Sequence, residues 1–176
     1  LDEEDEAETL ELVIQYGKGT CPISFLPPSL KFTSEKNVHQ LDDDGSGSIM
    51  LLIPKNNESM QQYQKLHVKW YRFKPSLLQD MERADIILCH AGAGTLLEAL
   101  TTRRRHQQPP IINAVINSSL MNNHQLELAE ELEKRSHIRV SLASEWTTDE
   151  EAKQFWIKLG QFQPVLFAGM ERGPNY

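Results

Sequence analysis

The stretch Ala84-Asp85-Ile86-Ile87-Leu88-Cys89-His90-Ala91-Gly92-Ala93-Gly94-Thr95-Leu96-Leu97-Glu98-Ala99-Leu100 decides how this chain is read. Ile86 and Ile87 are β-branched and open an apolar run that predicts a buried strand, with Cys89 at its end. Gly92 and Gly94 permit a tight turn that Cβ atoms would obstruct. Leu96, Leu97 and Leu100 then supply the apolar face of a helix starting near Thr95. A strand, a Gly-X-Gly turn and a helix aim backbone N–H groups and the positive helix end at whatever sits above the turn, and phosphate is the usual occupant. An ordinary strand-to-helix turn looks the same in sequence, so this segment alone leaves both readings open.

Downstream, the pattern keeps alternating. The helix runs over 95–104, a strand follows at Ile111 to Ile116, and a second helix covers about Leu120 to Lys134, with Leu126, Ala129 and Leu132 at helical spacing. His137 to Ser141 suits a strand, and a last helix from about Thr148 to Leu159 is entered through the capping sequence Thr147-Thr148-Asp149-Glu150. Such alternation implies a parallel sheet covered by helices. Upstream, Leu10 to Tyr16 predicts a strand ended by Gly17-Lys18-Gly19. Ser48 to Pro54 and Leu66 to Phe73 predict two more, and Ser76 is placed to cap a short helix through Arg83. Residues 1–9 form an acidic lead-in, 20–47 a Pro-, Ser-, Asp- and Gly-rich irregular insertion, and 55–65 a polar loop. No internal repeat is visible.

Bulk properties narrow the function classes. A length of 176 residues suits one domain spanning 1–176, and a net charge of −7 argues against broad nucleic-acid binding. Cys21 and Cys89 give no disulfide framework, so a reduced intracellular setting is expected. No stretch approaches the roughly 18 apolar residues of a membrane span, and no secretory signal pattern appears. His39, His67, His106 and His137 show no metal-ligand spacing, and no metal is expected.

A second concentration of signal is Asn117-Ser118-Ser119-Leu120-Met121-Asn122-Asn123-His124-Gln125-Leu126-Glu127-Leu128-Ala129. It follows a predicted strand and leads into a helix, which in a parallel sheet places it on the carboxyl edge beside the glycine turn, where α/β ligands bind. Its amides and imidazole can donate and accept toward a neutral polyhydroxylated ligand. Taken alone, a polar capping loop is the simpler account.

Together the two motifs resemble the C-terminal, nucleotide-sugar-binding half of GT-B glycosyltransferases of the family 28 type. The resemblance is strongest to the catalytic subunits of the UDP-N-acetylglucosamine transferases of dolichol-linked oligosaccharide synthesis. It is dense over 66–130, thinner over 10–20, where Val13-Ile14-Gln15-Tyr16-Gly17-Lys18-Gly19 looks like a family strand and turn, and absent from the acidic and Asp/Ser/Gly-rich segments. The fold class it implies is α/β, a Rossmann-like parallel sheet with helices on both faces. The family's opening Phe-Val-Thr-Val-Gly-Thr-like strand and loop is not recognisable, so a truncated or divergent domain is expected.

Carried onto this sequence, the resemblance gives His90, Ala91, Gly92, Ala93, Gly94 and Thr95 to the UDP diphosphate, and Glu98 to the ribose hydroxyls. His124 and Gln125 meet the GlcNAc hydroxyls, Asn122 and Asn123 shape their loop, and Phe73 and Lys74 occupy the uracil-binding segment. The implied reaction is inverting transfer of GlcNAc from UDP-GlcNAc to N-acetylglucosaminyl-diphospho-dolichol, with UDP as donor substrate group and no cofactor. His90 is the candidate catalytic residue, either protonated toward phosphate or neutral near the acceptor. The resemblance also implies a membrane-anchored partner subunit that binds the lipid-linked acceptor, with this chain held at the cytosolic face of the endoplasmic reticulum. A non-catalytic UDP-sugar-binding or scaffold subunit is the main alternative. A dinucleotide-binding oxidoreductase is disfavoured, because Leu97 stands where that fingerprint needs its third small residue. Phe155, Trp156, Leu159 and Phe162 on the last helix offer a docking face or simply pack onto the sheet. Arg103-Arg104-Arg105 ends a helix where cations complement its dipole.

Overall fold

The computed structural model describes residues 9–25, 31–32, 44–54, 63–102, 109–116 and 123–167. The chain forms two compact units, residues 1–75 and 76–176.

The first unit is a four-stranded mixed sheet. Its strands are β1 (Leu10–Gln15), β2 (Lys31–Phe32), β3 (Gly47–Pro54) and β4 (Tyr63–Tyr71), in the order β1-β4-β3-β2. β1 runs parallel to β4, while β3 is antiparallel to both β2 and β4. The alternation in β4 has the expected outcome: Val68 and Trp70 join Ile49 and Leu51 of β3 in a buried cluster, with Leu66 partly buried beside them. Gly47 lies opposite Trp70 in the register, and a Cβ there would come within 2.6 Å of the indole, so the large ring fits only because its neighbour has no side chain. The 3-10 turn Pro22–Phe25 and β2 are the regular structure described within 20–46.

The second unit carries the parallel sheet. β5 (Ile86–His90), β6 (Ile111–Ile116) and β7 (Arg139–Leu142) pair in sequence order, all parallel. Parallel neighbours need crossovers, and α2 (Ala93–Thr101) and α3 (Asn123–Lys134) supply them. α1 (Leu78–Arg83) precedes β5, and α4 (Asp149–Gly160) follows β7. One sheet face, carrying Ile87, Ile112, Ala114 and Ile116, forms the core with Leu96 and Ala99 of α2 and Ala129 and Leu132 of α3. Residues of the other face, Asn113 and Ser141, meet Leu159 and Phe155 of α4 around a shared pocket. Helices therefore cover both faces, as a doubly wound sheet requires.

Three local expectations change. The helix after the glycine turn begins at Ala93 rather than near Thr95, because Gly92 already has the extended backbone of an N-cap. Leu97 is 45% exposed, and the buried face of α2 is made by Leu96 and Ala99 with Leu100 partly buried against them. Among the described residues β5 is an outer strand of its sheet, and Ile86 and Leu88 are exposed on one face while Ile87 is buried on the other. The last helix also divides its large apolar residues between core and surface. Leu159 is fully buried, Phe155 stacks on Trp146 at 4.1 Å, and Trp156 is exposed. Arg103-Arg104-Arg105 lies outside the described residues.

Two helix ends are defined by hydrogen bonding. α3 stops where Ser136 turns left-handed at φ 56°, with His137 N–H donating to Leu132 O at 3.0 Å and Ser136 N–H to Glu133 O at 2.8 Å, an arrangement usually built on glycine. α4 starts with a capping box: Glu151 N–H donates to Thr148 Oγ1, and Thr148 N–H donates back to Glu151 Oε2 at 3.0 Å.

Candidate functional site

β5 delivers the chain to the carboxyl edge of the parallel sheet at His90, opposite Val115 of β6. Ala91 is wholly buried and anchors the turn beneath. Gly92 N–H donates to His90 O at 2.8 Å, and Leu96 N–H donates to Gly92 O at 3.0 Å, so the first helical bond of α2 closes on the glycine. No side chain caps this N-terminus and no acidic residue stands in its first turn. The first-turn N–H groups and the positive end of the helix dipole therefore face outward without an internal anion.

The two glycines serve different ends. A Cβ on Gly92 would lie 2.5 Å from His90 Nε2, so its absence lets the imidazole lean across the turn. A Cβ on Gly94 would meet nothing within 4 Å. Gly94 thus opens space above the helix N-terminus rather than relieving a contact within the protein. Glu98 stands one turn on from Gly94, on the same exposed face of α2. Its carboxylate makes no hydrogen bond or ion pair among the described residues, while its backbone oxygen accepts from Thr102 Oγ1 at 2.7 Å and Thr101 Oγ1 at 3.1 Å. The two threonine hydroxyls hold the C-terminal turn of the helix that carries it.

Cys89 is packed at the strand end just before His90, and burial pushes its thiol up to about 11. It remains neutral near pH 7 and is a poor nucleophile.

The structure brings His90, Ala91, Gly92, Ala93, Gly94, Thr95 and Glu98 into one turn-and-helix edge. β6 leaves the sheet at Ile116 on that same edge, and α3 opens with Asn123, His124 and Gln125, whose helical backbone is described. Asn122 lies outside the described residues, as do the side chains of Asn123, His124 and Gln125. Phe73 and Lys74 belong to the first unit. There Phe73 is 65% exposed and lies over Gly17, and Lys74 Nζ sits 4.0 Å above the Tyr71 ring. Beside them Tyr16 Oη donates to Gly45 O at 2.7 Å and accepts from Arg72 Nε at 3.2 Å, a contact that no short sequence motif announces. No group of three or more His, Cys, Asp or Glu side chains is disposed to hold a metal among the described residues, and no described helix is long and apolar enough to cross a membrane.

Residues 48–151 match the glycosyltransferase family 28 C-terminal domain. The chain belongs to that family. It is 38% identical over 109 residues to the human UDP-N-acetylglucosamine transferase subunit ALG13, covering 58% of this chain but 9% of the human protein. Against the subunit of the same name from Yarrowia lipolytica it is 38% identical over 139 residues, covering 76% of this chain and 66% of that one. Among solved structures, the NMR solution structure of ALG13 superposes with a TM-score of 0.51 at 18% identity, over 93% of this chain and 74% of that one, which establishes likeness of fold. The family match takes in both the glycine turn and the Asn-Asn-His-Gln segment.

Proposed function

We propose that this chain binds UDP-N-acetylglucosamine and acts as the catalytic subunit of a two-subunit transferase. It would pass GlcNAc to the lipid-linked acceptor N-acetylglucosaminyl-diphospho-dolichol, with 1–176 forming one donor-binding domain. The observation that carries this reading is the uncapped N-terminus of α2 beneath the open space at Gly94. Backbone N–H groups there are oriented toward a ligand of negative charge. The relatives' shared name, UDP-N-acetylglucosamine transferase subunit, supplies the donor and the expectation of a partner.

In this reading the N–H groups of Ala93, Gly94 and Thr95 receive the diphosphate. They stabilise the charge that accumulates on UDP as the glycosidic bond breaks, and preformed dipoles of this kind act most strongly on the transition state. Glu98 accepts from the two ribose hydroxyls, a task suited to a carboxylate with several lone pairs and no competing partner among the described residues. His90, its ring leaning over Gly92, serves as a phosphate-side cation or as the base for the acceptor hydroxyl. Phe73 and Lys74 contact uracil, and Asn122, Asn123, His124 and Gln125 contact the sugar. The reaction inverts the anomeric carbon, and a membrane-anchored partner at the cytosolic face of the endoplasmic reticulum presents the acceptor. No metal or cofactor takes part.

Titration calorimetry with UDP and with NAD tests donor binding: UDP is expected to bind and NAD not to. Transfer of radiolabelled GlcNAc to a lipid acceptor, with the partner subunit present, tests catalysis. UDP binding without any transfer would sink the catalytic assignment and leave a donor-binding subunit.

A further inference from the structure

A pocket lies in the parallel-sheet unit, on the face of β6 and β7 that α4 covers. Its volume is about 320 Å³, within the range that holds small molecules. Asn113 and Ser141 are both buried and contribute to its lining. Asn113 interrupts the apolar run Ile111-Ile112-Asn113-Ala114-Val115-Ile116, where a valine or isoleucine would pack without polar cost. Its Nδ2 donates to Ser141 Oγ at 2.7 Å, but its Oδ1 has no partner among the described residues. Nearby, the Trp146 ring stacks on Phe155, which lines the pocket, and Trp146 Nε1 is likewise buried without a partner. The unmet acceptor of Asn113 thus belongs to the pocket lining itself, whereas Trp146 reaches the pocket only through its ring contact with Phe155. A buried acceptor left unpaired is costly.

The walls carry charges of both signs. Arg139 and Lys158 share the lining with Glu145, Glu150 and Glu151. Hydrogen bonds from Thr147 and Thr148 occupy Glu151 and hold its carboxyl below the usual range, and Gln154 Nε2 donates to Glu150. Such a lining favours neither an anion nor a cation strongly. It suits a molecule that donates and accepts through the same groups, with an apolar face to lie on Phe155.

We propose that this pocket binds a neutral polyhydroxylated molecule of monosaccharide size. Hydroxyl groups satisfy Asn113 and Ser141 on the floor, Glu145 and Gln154 accept and donate at the rim, and the Phe155 ring packs against the ligand's C–H face. The site is separate from the α2 N-terminus and does not depend on the donor reading.

The test is a set of NMR titrations of the whole chain with methyl glucoside, methyl mannoside, glycine and inorganic phosphate. The side-chain amide of Asn113 and the backbone amides of 139–141 are followed. Either glycoside is expected to shift these resonances saturably at millimolar concentration, with glycine and phosphate leaving them still. Gln154→Ala, on an exposed helix face, is expected to weaken the glycoside about tenfold and leave UDP binding unchanged. Asn113→Leu, which keeps the volume and removes the amide, is expected to abolish it. Shifts from phosphate or glycine alone, shifts confined to residues outside this pocket, no shifts at all, or full affinity in Gln154→Ala would each overturn the proposal.

Discussion

The N-termini of α2 and α4 belong to the same unit and solve the same problem in opposite ways. Every helix begins with N–H groups that its own carbonyls cannot satisfy. α4 satisfies them internally, with the reciprocal Thr148–Glu151 capping box and Asp149, Glu150 and Glu151 in the first turn. α2 has neither a side-chain cap nor an acidic residue in its first turn, and Gly94 leaves open space above it. A helix start that does without about 1 kcal/mol of capping is informative about function. The contrast separates a helix whose start is satisfied from within from one whose exposed dipole is open to the ligand proposed above.

Gly94→Ala attacks the difference most strongly. The new methyl meets no protein atom, and alanine is the better helix former, so the melting temperature is expected to hold or rise. Affinity for UDP should fall by at least about tenfold, because the methyl occupies the space assigned to the diphosphate. Unchanged affinity by calorimetry would move the diphosphate elsewhere. Glu98→Gln comes next: it keeps the shape of the side chain and removes the charge, and UDP binding is expected to weaken about fivefold with thermal stability unaltered. Thr148→Ala probes the other helix. Loss of the cap should lower unfolding free energy in urea by about 1 kcal/mol while UDP affinity stays the same.

The smallest effect is a pH dependence. The hydroxyls of Thr147 and Thr148 hold the Glu151 carboxyl below its ordinary value in the folded protein. A depressed carboxylate contributes stability above its unfolded pKa and loses it as pH falls through the folded value. Acidification below about pH 4.5 should therefore weaken the wild type slightly more than Thr148→Ala. Equal acid sensitivity in the two proteins would show that the box does not couple to protonation.

Much of this was legible from residue pattern. Strand and helix alternation from Ala84 onward gave the parallel sheet, since each apolar run had the length and spacing of its element. The capping sequence at Thr147-Thr148 placed the start of α4. What the pattern missed depended on neighbours distant in sequence. Leu97 has the chemistry of a core residue, yet the turn of α2 carries it to the exposed face. Ile86 and Leu88 look buried until β5 proves to be an outer strand among the described residues. The antiparallel pairing of β3 with β4 was hidden because register, rather than composition, sets the partner. At the site, Gly92 and Gly94 are alike in sequence, and only the position of the His90 ring distinguishes their roles. The pairing of Asn113 with Ser141 spans 28 residues and left only a lone polar residue inside an apolar strand as its signal.

The most direct test of the central claim is a titration of the isotopically labelled chain with UDP, followed through its backbone amides. The account requires the N–H resonances of Ala93, Gly94 and Thr95 to move saturably while those of Asp149, Glu150 and Glu151 stay in place. Movement at both helix starts, or at neither, would contradict it.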